Sequence, residues 1–219
     1  MFNLNFLKDE KEVRKFFIIF YFIGILGITI PLTRNIFIFL TPFALLLSFA
    51  TVIFFHQEGF DTKTILVFIF IFLISYCVEV TGVKTGMIFG NYSYGKGLGL
   101  KLLGTPLMIG INWLLLVYCT AAIFDKLPVH TILKILFSSL LMVTYDLIME
   151  QVAPYLQMWN FEGNTVPVRN YLSWFILAFL LHSLIKLTGI KTTNKLAPLI
   201  FYCQLSFFGI LFLYFTLMK

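Results

Sequence analysis

The stretch TILVFIFIFLISYCVEVTGVKTGMIFGNYSYGKGLGLKLLGTP, Thr64 to Pro106, changes character at Val83. Up to that point it is apolar and long enough to cross a bilayer as a helix, which takes about 20 residues. Beyond it the chain turns rich in Gly and Tyr, and a single carboxylate, Glu79, stands just before the change. The first half calls for hydrocarbon surroundings; the second interrupts them.

Working outward, seven apolar runs are found: Phe16–Pro31, Ile36–His56, Thr64–Val83, Leu102–Phe124, His130–Ala153, Tyr171–Leu187 and Leu196–Met218. Short polar breaks separate most of them, and only Lys84–Lys101 and Pro154–Asn170 are long connections. The composition agrees, with 60% hydrophobic residues, 12% charged residues and a mean hydropathy of +0.95. Soluble domains carry about 25% charged residues, so they are excluded. The expected fold is an all-α integral membrane protein: one polytopic domain over residues 1–219, a bundle of about seven transmembrane helices with a Gly/Tyr-rich cap loop between helices 3 and 4. Its opening residues, MFNLNFLKDEKEVRK, lack the features of a secretory signal and are expected to form a short interfacial segment, residues 1–15.

The net charge of +6 resides mostly in Lys and Arg at the span ends, which points to lipid headgroups rather than nucleic acid. With the N-terminus inside, nine Lys and Arg fall on the inner side and six on the outer, leaving aside Lys134 within the fifth span. That bias favours a cytoplasmic N-terminus in a cell membrane. In either orientation both long loops share one face. Cys77, Cys119 and Cys203 lie inside apolar runs and read as small hydrophobes, so neither a disulfide framework nor a metal site is expected.

Three acidic residues, Glu79, Asp146 and Glu150, lie inside the apolar spans. A carboxylate at the bilayer centre costs roughly 2.5–3.5 kcal/mol even on the forgiving insertion scale, so such groups face the bundle interior and tend to be functional. Glu79 is four residues before Val83 and Asp146 seven before Ala153, which puts them roughly 6 and 10 Å below one surface. Glu150 is one turn above Asp146 on the same helix face. Asn112, counted from Leu102, lies about 15 Å down. The plainer alternative is structural, because membrane bundles also use polar side chains as interhelical hydrogen bonds.

Other polar residues are less distinctive. Asn112 with Trp113, and Asn170 with Tyr171 and Trp174, suit either a cavity wall or an interfacial aromatic belt with a helix cap. His182 is expected to pack mid-span, and His56 and His130 to be solvated at span ends; no His or Cys pair has metal-ligand spacing. Asn91-Tyr92-Ser93 matches a glycosylation acceptor, a pattern common by chance. The Gly-rich loop has no GK[ST] ending and so is not a phosphate cradle. Its glycines suit a tightly folded re-entrant or cap segment, with Tyr92 and Tyr94 on the underside.

The run EVTGVKTGMIFGNYSY, Glu79–Tyr94, followed by LGLKLLGTPL, Leu98–Leu107, resembles the carotenoid biosynthesis membrane family. That family contains the carotenoid 1,2-hydratases and the archaeal bisanhydrobacterioruberin hydratases. The likeness rests on Glu79, Gly82, Thr85, Gly86, Phe89, Gly90, Tyr92 and Tyr94, then on Gly99, Lys101, Gly104 and Pro106. It continues in YDLIMEQVA, Tyr145–Ala153, in Trp159-Asn160-Phe161 and in VPVRNYLSWF, Val166–Phe175. The family pattern often has an Asp-Pro pair where this chain has Glu150-Gln151, so here the acid has a longer arm and no proline kink follows it.

The resemblance implies hydration of the terminal isopropylidene double bond of an acyclic carotenoid in the bilayer, without a cofactor. The chemistry suits carboxyls withdrawn from water, because a carboxyl in low-dielectric surroundings holds its proton until an alkene is presented. Aromatic faces stabilise the resulting tertiary cation until water captures it. The expected assignment has Asp146 as general acid and Glu79 as the group that holds the attacking water, or the reverse, with Glu150 as a third member. Tyr92, Tyr94, Asn112, Trp113, Asn170 and Trp174 are the expected contacts for water and substrate. A carotenoid cyclase using the same protonation, and a membrane transporter or lipid-binding protein, stand as alternatives.

Overall fold

The computed structural model describes residues 9–218. Seven helices make up the bundle: α1 (Glu10–Thr29), α2 (Pro31–Phe54), α3 (Thr62–Thr85), α4 (Met108–Phe124), α5 (Thr131–Val152), α6 (Val168–Leu187) and α7 (Ala197–Leu217). Five of them (α2, α3, α5, α6 and α7) are long and apolar enough to cross a membrane. The expected interfacial segment lies outside the described residues as far as residue 8. From Glu10 the chain is already helical, and the Asp9 carboxylate caps that helix by accepting from the Lys11 amide at 2.9 Å.

Local chemistry sets the helix ends. Pro31 occupies the first turn of α2, where its missing N–H costs nothing. The Asp61 side chain caps α3 through the Thr64 amide at 2.8 Å. Gly86 closes the same helix in the left-handed region, at φ 63°, and its N–H returns to the Gly82 carbonyl. Asn194 Oδ1 accepts from Leu196 and Ala197 at 2.8 and 2.9 Å and so starts α7.

The fourth helix is the axis of the bundle. It packs against α2, α3, α5, α6 and α7, and fourteen of its 17 residues are buried. Seventeen residues rise only about 25 Å, too short for a lone crossing, yet this helix is jacketed by its neighbours on nearly every side. Outer helices instead turn Leu32, Phe39, Leu66, Phe70, Leu180 and Leu213 outward, as lipid-facing surfaces do.

One expected boundary moves. The run from Leu102 was read as the start of the fourth helix, but its first residues form a hairpin of β2 (Lys101–Leu102) and β3 (Thr105–Pro106). Leu103 and Gly104 turn it at φ 55° and 85°, and Tyr76 on α3 fastens it by donating to the Leu102 carbonyl at 2.6 Å. Asn112 therefore lies only four residues inside α4, about 6 Å along its axis rather than 15 Å.

The two long loops are joined to each other. Strand β1 (Tyr92–Tyr94) in the first pairs antiparallel with β4 (Trp159–Phe161) in the second, with Tyr92 opposite Phe161 and Tyr94 opposite Trp159. Beyond the strands, Gly95 N–H donates to the Met158 carbonyl at 2.8 Å and Gly97 N–H to the Gln157 carbonyl at 2.7 Å. A Cβ added at either glycine would come within 2.2 Å of a backbone oxygen of the facing loop. Only glycine permits that approach. The cap is thus a two-loop lid with a short sheet at its centre.

Candidate active site

Beneath the cap lie the three intramembrane carboxyls, each almost completely buried: Glu79 on α3, and Asp146 and Glu150 on α5. Glu79 receives three donors. The Tyr92 and Tyr94 hydroxyls reach its Oε2 at 2.6 and 2.8 Å, and the Trp113 indole N–H reaches Oε1 at 2.9 Å. Three donors and no cation form a cradle suited to a carboxylate, which only accepts. Burial, and then the Glu79 charge beside them, push both tyrosine hydroxyls above their ordinary value, so they remain donors at physiological pH. Trp113→Phe is expected to leave Oε1 without its donor and to cost about 1.5–3 kcal/mol, the range for a hydrogen bond to a charged group. The thermal midpoint in detergent micelles checks this; an unchanged midpoint would mean that the indole N–H contributes nothing.

The α5 carboxyls are held differently. Asn170 Nδ2, on α6, bridges them, at 3.0 Å from Asp146 Oδ2 and 3.1 Å from Glu150 Oε1. Glu150 Oε2 takes a second bond from the Trp159 indole at 2.8 Å. Asp146 Oδ1 is buried with no hydrogen-bond partner. One amide nitrogen thereby ties both carboxyls into a pair across a single helical turn, and that pair carries an unengaged oxygen.

Between Glu79 and Glu150 lies a cavity of about 10 Å³ for the centre of a water-sized sphere, room for about one water molecule. Its walls are largely aromatic and include Phe89, Tyr92, Tyr94, Trp159, Phe161 and Trp174. Trp174 stacks on Trp113 with ring centroids 4.2 Å apart, so the indole behind Glu79 is itself backed by a ring. A second, larger cavity of about 590 Å³ lies on the far side of Trp159 and Phe161, with Glu150 bordering both.

The sequence-derived candidates distribute as follows. Glu79, Glu150, Tyr92, Tyr94, Asn170 and Trp174 line the small cavity; Trp113 touches it through Glu79; Asp146 sits behind Asn170, bonded to it but not on the cavity wall. Asn112 is buried on α4 and neither lines the cavity nor bonds to the carboxyls. Glu150, one turn above Asp146 on the same helix, is the α5 carboxyl that lines the cavity. Phe89, Trp159 and Phe161 had no chemical role in the sequence reading. Trp159 and Phe161 arrive through the pairing of two distant loops, which leaves no local signal. His182 lies in a separate buried cluster, hydrogen-bonded to Thr120 at 2.9 Å and to the Ala178 carbonyl at 2.7 Å, as a packing residue would be. Among the described residues, no group of His, Cys, Asp and Glu has the arrangement of a metal site.

Fold and site define a class: a polytopic helical membrane protein with three buried carboxyls beneath a loop cap, two of them on an aromatic-walled cavity. The chain belongs to the carotenoid biosynthesis protein family, whose model matches residues 40–218. It is also 26% identical to a bisanhydrobacterioruberin hydratase of Haloarcula japonica, over 53% of this chain and 42% of that protein. The match thus spans less than half the length of that curated relative. No solved structure matches the chain.

Proposed function

We propose that this protein is a carotenoid hydratase, adding water across the terminal isopropylidene double bond of an acyclic carotenoid end group. The observation that carries the reading is the opposition of two unlike carboxyl sites across one aromatic cavity. On one side stands the Asp146–Glu150 pair, with few donors and one free oxygen; on the other stands Glu79, with three. The relative's name and the family support the substrate class.

In this mechanism Glu150, at the cavity wall, delivers a proton to the less substituted alkene carbon. The tertiary cation forms on the carbon bearing the two methyl groups, facing the rings of Trp159 and Phe161, which border both the one-water cavity and the larger one beside it. Water held by Glu79 adds to that carbon and passes its spare proton to Glu79. Returning that proton to the α5 pair completes the cycle, so the net change is one water added to the alkene. Asp146 acts through Asn170 and Glu150, sharing the proton of the pair. The Lys and Arg bias supports a cytoplasmic N-terminus, which puts the cap on the opposite face.

Expression in a host that accumulates lycopene, followed by mass analysis of its pigments, tests the reading. Hydration raises the pigment mass by one water per modified end. An unchanged mass with a cyclised end would make the protein a cyclase, and unchanged pigment would remove the proposal for this substrate.

A further inference from the structure

A third cavity lies away from the carboxyls, in the groove between α1, α2 and α7, with a volume of about 250 Å³. Its walls are almost wholly apolar and include Phe20, Phe37, Phe207 and Phe208, while Ile23, Leu40 and Phe43 at its mouth are exposed on the lipid-facing surface. One residue is out of place there. Gln204 on α7 lines the groove, is 2% exposed, and has neither its Nε2 nor its Oε1 hydrogen-bonded. The Tyr21 hydroxyl is near enough to the amide to feel it, but its hydrogen bond runs to Ser48 Oγ at 2.8 Å and both amide atoms are left without a partner of hydrogen-bond geometry.

Leaving a primary amide unpaired in hydrocarbon is costly, and a ligand supplying both an acceptor and a donor removes that cost. Depth narrows the ligand. Gln204 is seven residues past Ala197 and thirteen before Leu217, about 10 and 20 Å from the two ends of α7. Phospholipid esters and phosphates lie at the interface, outside a hydrocarbon core about 30 Å thick. A hydroxyl reaching Gln204 must therefore ride on a long apolar chain inserted into the bilayer. Flat phenylalanine walls favour a conjugated chain. The groove also abuts the cap: Met158 lines it, and the next residue, Trp159, lines the carboxyl cavity.

We propose that the groove between α1, α2 and α7 is a second binding site, for an isoprenoid polyene bearing a tertiary hydroxyl, and that the Gln204 amide pairs with that hydroxyl. The identity of the chain rests on the hydratase reading, since hydration creates such a hydroxyl. The site thus retains a chain already hydrated at one end.

The test uses the full chain in lipid nanodiscs, carrying Asp146→Asn so that turnover does not consume the probe. Lycopene and its singly hydrated 1-hydroxy derivative are titrated and followed by quenching of tryptophan fluorescence. The hydroxylated polyene is expected to bind about 3- to 10-fold more tightly, the worth of one net hydrogen bond. Gln204→Met, which keeps the volume and removes the polar atoms, should erase the preference without weakening lycopene binding; Gln204→Leu serves if the Met variant fails to fold. Equal binding of both probes before substitution, or a preference that survives it, overturns the proposal. Hydration of lycopene by the unsubstituted protein is scored separately. Activity without a binding preference rejects the groove alone, and a preference without activity rejects the hydratase reading alone.

Discussion

Asp146→Asn and Glu150→Gln are each expected to lower hydration by about 100- to 10,000-fold, the usual contribution of a positioned acid, while the protein still inserts and folds. The double variant should be no worse than the more severe single one. Asn170 binds an oxygen of each carboxyl at 3.0 and 3.1 Å; in the proposed mechanism the pair shares one proton, so removing either member disables both. Product formation per folded protein is the measurement. Near-normal hydration by either single variant would remove that residue from the mechanism. A double variant whose loss is the product of the single losses would show two independent groups. Because both substitutions replace a carboxyl with an amide of similar size, a simple packing defect should appear as a lowered thermal midpoint, which separates the two explanations.

The second large effect is expected from a residue that touches no reacting atom. Gly95→Val places a branched side chain where even a Cβ would stand 2.2 Å from the Gln157 carbonyl oxygen. That oxygen belongs to backbone and cannot swing aside. The two loops must separate, which breaks the bond from Gly95 N–H to Met158 and the register that sets Tyr94 opposite Trp159. Tyr94 then loses its hold on Glu79 and Trp159 its hold on Glu150, so both carboxyl sites are disturbed by one substitution. Activity should fall by at least about 100-fold, accompanied by rapid modification of Glu79, Asp146 and Glu150 by a water-soluble carbodiimide, which in the unsubstituted protein reaches only exposed carboxyls such as Glu58, Asp61 and Glu162. A Gly95→Val protein that is active and still protected would show that the close approach is dispensable.

The bundle was legible because hydrocarbon imposes a length and a composition on every span. Seven apolar spans are expected and seven α-helices stand among the described residues, and the three carboxyls stood out because charge is costly in apolar runs. The hairpin before α4 was misread as helix: Leu102, Leu103 and Leu107 have helical apolarity, and the turn at Leu103 and Gly104 is settled by its tether to Tyr76. Asn112 was placed too deep for the same reason. Pairing of β1 with β4 involves three residues on each side, separated by two helices, and neither tripeptide carries a signal for the other. The indole that Glu150 gains from Trp159 arrives through that pairing, so the sequence around either residue does not announce it.

That pairing also sets an order of assembly. Tyr92 and Tyr94 leave the ribosome long before Trp159 and Phe161, with α4 and α5 made in between. Until the second loop has been synthesised, the first has no strand to pair with, Glu150 has no indole, and Asn170 is absent from the carboxyl pair. A nascent chain halted after the fifth helix therefore holds three acidic groups in the membrane with part of their support missing. Such a chain is what quality-control proteases recognise, so truncation or late ribosome stalling in this protein should end in degradation rather than in a partly active species.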